Sequence, residues 1–154
     1  MRVEIEVNGV WVKEEAEAGM TLYQFLRDHN CASVKCGCET ANCGLCTVFM
    51  NEKPVLSCAV LIGRANKARI TTLEGLQKEA EELGAFVADQ GAEQCGFCNP
   101  GFLMNTIALF REIPSPTKEE IKEYLSGNLC RCSGYEGQMR AILTYLGKKE
   151  EGKG

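Results

Sequence analysis

Eight of the ten cysteines in this chain of 154 residues fall into two groups of four. Cys38, Cys43, Cys46 and Cys58 are spaced C-x4-C-x2-C-x11-C, and Cys95, Cys98, Cys130 and Cys132 are spaced C-x2-C-x31-C-x-C. Four thiolates in one place can hold zinc or an iron–sulfur cluster or, oxidised in pairs, form disulfides. The first spacing is that of plant-type [2Fe–2S] sites, in which a fourth cysteine follows C-x4-C-x2-C further along the chain. The longer gap lets a loop wrap one edge of a cluster. Gly37 and Gly44 let the backbone come close enough for N–H groups to point at sulfur. Zinc sites usually pair two short knuckles of matched length, and this group has only one. The second spacing also fits an iron–sulfur cluster but leaves zinc open, because both metals accept four thiolates. Each of its cysteine pairs stands just ahead of an expected helix N-terminus. Free N–H groups and positive potential there favour an anionic centre.

The single histidine, His29, excludes a Rieske centre, which needs two on one iron, and a pair of Cys2His2 sites. It follows Asp28 at the end of an expected helix and reads as a solvated residue complementing the helix dipole. Cys31 and Cys36 lie outside both groups and read as small buried hydrophobes.

A formal net charge of −4, with basic residues scattered rather than clustered, gives no footprint for nucleic acid or an anionic membrane surface. The N-terminus MRVEIEVNGVWVKEEAEAG alternates apolar and charged residues and has no apolar core of a secretory signal. No apolar run approaches the ~18 residues of a membrane span. The expected location is therefore cytoplasmic, where disulfides rarely persist and clustered cysteines bind metal or do redox chemistry.

The elements that must position these cysteines change in period near residue 75. Before it, residues 2–7 put Val3, Ile5 and Val7 on one strand face, and Asn8-Gly9 is a hairpin turn into Val10–Val12. Thr21 and Gln24 form a capping box for a short helix. CTVFM, a turn at Asn51–Lys53 and PVLSCAVLI read as two more strands, with a last one near Arg69–Thr72. After it the pattern is helical, with Leu83 and Val87 on a stripe ending at Gly91. Asn99-Pro100 reads as an N-cap with proline at the first helical position. Thr117 with Glu120 and Ser133 with Glu136 read as two further capping boxes, and Gly147 as a stop. This predicts an α+β domain at residues 1–75, about four helices within residues 76–147 and a disordered tail at 148–154.

The stretches VKCGCETANCGLCTV, SC at 57–58, QCGFCNPG and GNLCRCSGY resemble, in order, the small iron–sulfur subunit of the molybdenum hydroxylases. That family includes xanthine dehydrogenases, aldehyde oxidoreductases, aerobic carbon monoxide dehydrogenases and nicotinate dehydrogenases. The resemblance runs from residue 2 to about 147. It implies a plant-ferredoxin-like β-grasp domain followed by a four-helix-bundle [2Fe–2S] domain. It also implies a large partner subunit holding molybdopterin and a medium one holding FAD. Cys95, Cys98, Cys130 and Cys132 would then be the molybdenum-side relay, and Cys38, Cys43, Cys46 and Cys58 the flavin-side relay. Gln94 matches the family's glutamine that hydrogen-bonds the pterin, and Cys132 the ligand lying near it.

Four positions depart from the family's usual residues. Ala41 stands in place of Gly, Leu45 in place of Ala, and Asn99 and Ser133 in place of Thr. At Ala41 the loop must either avoid positive φ or accept strain. The expected function is electron transfer within a hydroxylase complex, of xanthine or purine type by family frequency. The alternatives are a free-standing two-cluster ferredoxin and a zinc-stapled interaction module.

Overall fold

The computed structural model describes all residues, 1–154. Strand β1 (Arg2–Val7) pairs antiparallel with β2 (Val10–Glu15), and the turn residues Asn8 and Gly9 take φ of 49° and 85°. Positive φ at both positions is what a two-residue hairpin needs. Val3, Ile5 and Val7 all point into the core, as their alternation requires. Helix α1 (Leu22–Asp28) starts at the expected capping box. The Thr21 hydroxyl accepts from the Gln24 N–H at 3.2 Å, and the Gln24 side chain accepts from the Thr21 N–H at 2.8 Å. Its Leu22, Phe25 and Leu26 pack on the strand side chains Val3, Ile5, Val48 and Ile70.

Strands β3 (Thr47–Met50), β4 (Lys53–Leu56) and β5 (Arg69–Thr71) complete a sheet of order β2-β1-β5-β3-β4. The β1–β5 pair is parallel and the rest are antiparallel. The strand expected over PVLSCAVLI is shorter than the sequence suggested, because Ser57–Ala59 form a 3-10 turn. The Ser57 N–H and hydroxyl both donate to the Cys46 carbonyl, at 3.2 and 2.7 Å. These bonds end the ladder and fold Cys58 back beside Cys46.

β3 is buried on both faces, which explains its uninterrupted apolar run. Val48 belongs to the α1 core, whereas Phe49 belongs to a second core built by the helices α2 (Gln77–Asp89), α3 (Asn99–Glu112), α4 (Lys118–Tyr124) and α5 (Glu136–Glu151). The molecule is thus mixed α+β, a five-stranded sheet with helices on both faces.

Three local expectations for this half change in the structure. Asn99 is the first residue of α3 rather than its cap, and Cys98 takes the cap position. Ser133 does not cap α5. Tyr135 occupies that place with φ of 70°, and the Ser133 hydroxyl turns to the Cys130 sulfur. Gly147 does not stop α5, which continues to Glu151 and so covers the first four residues of the expected disordered tail. An interior glycine costs about 1 kcal/mol of helix stability. Lys148 and Lys149, each with its ammonium 4.9 Å from the ring centre of Phe86 or Tyr145, hold the last turn down, and their charge suits the helix C-terminus.

The two cores meet where α3 crosses the first cysteine loop. A Cβ added at Gly101 would lie 2.6 Å from the Gly44 carbonyl and 2.7 Å from Leu45 Cα. Asn105 Nδ2 sits 2.9 Å from both Thr47 Oγ1 and Asn128 Oδ1, tying the end of that loop to the segment ahead of Cys130. Gly101→Ala should therefore lower stability by about 1–3 kcal/mol, an overpacking cost read from the denaturation midpoint. The same change at solvent-facing Gly84, where a Cβ meets nothing within 4 Å, should be neutral or stabilising.

Candidate metal centres

The first group of cysteines sits on the irregular loop 36–46 and the 3-10 turn that follows β4. The structure sets these four cysteines as neighbours, Cys46 beside Cys58 and Cys38 beside Cys43. The Cys46 and Cys58 sulfurs lie 3.3 Å apart, and the Cys38 and Cys43 thiols act on one another electrostatically. Backbone N–H groups converge on the Cys38–Cys43 pair. Those of Asn42, Thr40 and Cys43 donate to Cys38 and pull its thiol down to about 6. Leu45 and Gly37 donate to Cys43, although burial leaves that thiol above its ordinary value. Burial, and then the neighbouring Cys46, push Cys58 up to about 12.

The loop reaches this geometry at some strain. Ala41 takes φ of 54°, so the position accepts the left-handed conformation at about 1–2 kcal/mol. Gly44, at φ of 77°, has no such penalty, and any side chain there would strike the Gly127 carbonyl.

The second group also resolves into two pairs. Cys132 and Cys95 have sulfurs 3.6 Å apart, and the Cys98 and Cys130 thiols act on one another electrostatically. Cys98 immediately precedes α3, so its neighbourhood carries the helix's unpaired N–H groups. Burial acts to raise Cys130, but the Ser133 hydroxyl at 3.2 Å and its N–H at 3.4 Å outweigh it and bring the thiol to about 7. Cys98 is pushed up to about 12, chiefly by burial. Gln138 Nε2 lies 3.9 Å from its sulfur. The Tyr135 phenol accepts from the Cys130 N–H at 2.9 Å, which ties the left-handed Tyr135 to this loop.

A mononuclear zinc site gathers four sulfurs around one point, whereas a binuclear cluster takes two thiolates on each of two irons. In each group one pair of sulfurs is in contact, Cys46 with Cys58 and Cys95 with Cys132. Paired thiolates of this kind fit the ligand set of a binuclear iron–sulfur centre. The remaining candidates stand apart. Cys36 donates its thiol proton to the Cys38 carbonyl at 2.8 Å, and Cys31 is buried in the α1 core. His29 Nδ1 donates to the Phe25 carbonyl, 2.8 Å away, and Nε2 faces Glu14 at 3.3 Å.

Cys38 and Cys43 of the first group and all four cysteines of the second line one cleft of about 450 Å³, rimmed by exposed Phe97, Leu129 and Tyr135. The Leu129 N–H donates to the Cys43 carbonyl at 2.9 Å. Leu129 precedes Cys130, so one hydrogen bond joins a ligand of the first group to the chain of the second. Gln94 is exposed beside Cys95, and its side chain makes no hydrogen bond within the chain, so it does not cap local backbone. Asn105, Gln138, Tyr135 and Leu129 were not singled out by sequence. Only Asn105 left a signal, as a polar residue inside the apolar run of α3.

Residues 5–83 match the family described as the 2Fe-2S iron-sulfur cluster binding domain, and residues 72–143 match the [2Fe-2S] binding domain family. The chain is 41% identical to the nicotine 6-hydroxylase small subunit of Paenarthrobacter nicotinovorans, over 96% of its own length and 91% of the relative's. It belongs to the small iron–sulfur subunits of the molybdenum hydroxylases. Another member, the xanthine dehydrogenase iron-sulfur-binding subunit of Escherichia coli O157:H7, is 39% identical, with 92% and 91% of the two chains covered. Among solved structures, a chain of quinoline 2-oxidoreductase from Pseudomonas putida 86 superposes with a TM-score of 0.87 at 34% identity, over 99% of this chain and 97% of that one. Small-subunit membership accounts for both cysteine groups in one chain of this length.

If the pairs are the ligands of this small subunit, Cys43→Ser should abolish or strongly distort the first cluster's signal and leave the second in place. Cys36→Ser should keep both, because its thiol lies outside the pairs. Visible absorption and electron paramagnetic resonance of the reduced variants read this directly. Loss of a cluster in Cys36→Ser with retention in Cys43→Ser would reverse the assignment.

Proposed function

We propose that this chain is the electron-transfer subunit of a molybdopterin-dependent hydroxylase and holds no substrate itself. The observation that carries this reading is one cleft lined by Cys38 and Cys43 of the first group and by all four cysteines of the second, with the Leu129–Cys43 hydrogen bond joining the two. When bound, two [2Fe–2S] clusters would supply one-electron carriers that a two-electron hydroxylation must discharge through. Cys95, Cys98, Cys130 and Cys132 hold the carrier on the molybdenum side, and Cys38, Cys43, Cys46 and Cys58 the carrier on the flavin side. The backbone donors around Cys38 and the Ser133 donors on Cys130 offset thiolate charge and fix the ligands' orientation.

The same reading divides the chain into a β-grasp ferredoxin-like domain to residue 75 and a four-helix-bundle domain over 76–147. The sheet order with one parallel pair and the four helices α2–α5 support that division. The partners are a large molybdopterin-binding subunit and a medium FAD-binding subunit, both cytoplasmic. No helix is long and apolar enough to cross a membrane. Exposed Phe97, Leu129 and Tyr135 at the cleft rim give such partners an apolar contact. The named relatives and the structural neighbour act, by their names, on nicotine, xanthine and quinoline, all nitrogen heteroaromatics. A purine such as xanthine falls within that class and is the proposed substrate type.

Gln94 gives the test of direction. Its amide, unpaired within this chain and next to Cys95, offers both a donor and an acceptor to a pterin edge, and Cys132 lies paired with Cys95 beside it. In the complex purified with its partners, Gln94→Ala should keep both cluster spectra and slow substrate-driven cluster reduction about tenfold, the worth of one lost hydrogen bond. Reduction from the flavin side should be unchanged. Stopped-flow mixing from each end reads both rates. Equal slowing from both ends, or none from the substrate end, would mean that this cluster does not face molybdenum. A chain that purifies alone and exchanges electrons freely would favour the free-standing ferredoxin.

A further inference from the structure

We propose that Gln138 sets the reduction potential of the cluster held by Cys95, Cys98, Cys130 and Cys132, by donating a hydrogen bond to the Cys98 sulfur. This rests on the reading that those cysteines hold a [2Fe–2S] cluster. Gln138 stands in the first turn of α5, and only 4% of it is exposed. It lines a cavity of about 290 Å³ whose walls include Phe102, Ile121, Met139 and Ile142. A primary amide in such surroundings costs stability unless it finds a partner. The partner its Nε2 finds is the Cys98 sulfur at 3.9 Å, within reach of a sulfur acceptor, whose larger radius keeps donors farther out than oxygen does.

The four ligands of this group are otherwise served unequally. Cys130 receives both the N–H and the hydroxyl of Ser133. Cys98 receives no side-chain donor except Gln138. Reduction makes a thiolate-ligated cluster more negative by one electron. A donor aimed at a ligand sulfur therefore stabilises the reduced form more than the oxidised one and raises the potential. The half-dry setting of Cys98 strengthens that effect, because the amide dipole is poorly screened. A glutamine at this place thus makes the molybdenum-side cluster easier to reduce without itself being a metal ligand. The first cluster lies in the other half of the molecule and does not contact Gln138, so it is an internal control.

The experiment is a redox titration followed by electron paramagnetic resonance, on the subunit in its complex, comparing the native chain with Gln138→Leu. The Leu side chain keeps the bulk and removes the donor. The second cluster's midpoint should fall by about 59 mV, a tenfold change in its reduced-to-oxidised ratio at fixed potential. The first cluster's midpoint should not move. If both clusters titrate as in the native protein, Gln138 only packs and the proposal is overturned. If the Leu variant fails to load the second cluster, Gln138→Met, unbranched and also without a donor, repeats the comparison. An unshifted second midpoint, or loss of that cluster there too, would again make Gln138 a structural residue. Should the native chain itself lack a second cluster signal, the underlying reading fails instead, and that result is distinct from an unshifted midpoint.

Discussion

Thiolates held in near contact repel one another, and a fold that keeps them so must aim dipoles at the sulfurs. That constraint shapes both halves of this chain. In the first half, a loop with no regular structure turns the N–H groups of Thr40, Asn42 and Cys43 on Cys38. A regular strand or helix could not do this, because its N–H groups are already committed to its own ladder. In the second half, a helix N-terminus follows Cys98 and the Ser133 side chain serves Cys130. The two solutions differ, yet each leaves the sulfurs paired, as two irons per centre require.

Loops of this kind are soft, and the rest of the fold stiffens them. β3 leads directly out of the first loop and is buried on both faces, so the ends of that loop are anchored in both cores. Close approach of Gly101 to Gly44 and Leu45 leaves no room for the loop to slide against α3. Asn105 then bonds across to Thr47 and Asn128. The left-handed Tyr135 is held by its phenol, which accepts from the Cys130 N–H. Electron relay needs such rigidity, since a carrier whose ligands wander changes both its potential and its distance to the next.

The features legible in the sequence were those set by local rules. The alternation of Val3, Ile5 and Val7, the Asn8-Gly9 turn and the capping boxes at Thr21 and Thr117 each depend on residues a few positions apart, and the structure shows all of them. Cysteine spacing likewise selected two sets, but spacing is one-dimensional and did not reveal which sulfurs come into contact, Cys46 with Cys58 and Cys95 with Cys132. The misread features were decided by distant partners. The Cys46 carbonyl cut short the strand at Leu56, the Cys130 sulfur drew Ser133 away from its capping role, and packing of Lys148 and Lys149 on aromatic rings carried α5 past Gly147. Gln138 was invisible for the same reason: nothing near it in sequence shows that its amide meets a sulfur 40 residues away.

The central claim is that the two sets of paired thiolates hold binuclear iron–sulfur centres. The most direct measurement is the metal and acid-labile sulfide content of the subunit purified without oxygen. Two [2Fe–2S] clusters require about four iron and about four sulfide per chain, with zinc far below one. Stoichiometric zinc with no labile sulfide would contradict the account at its root.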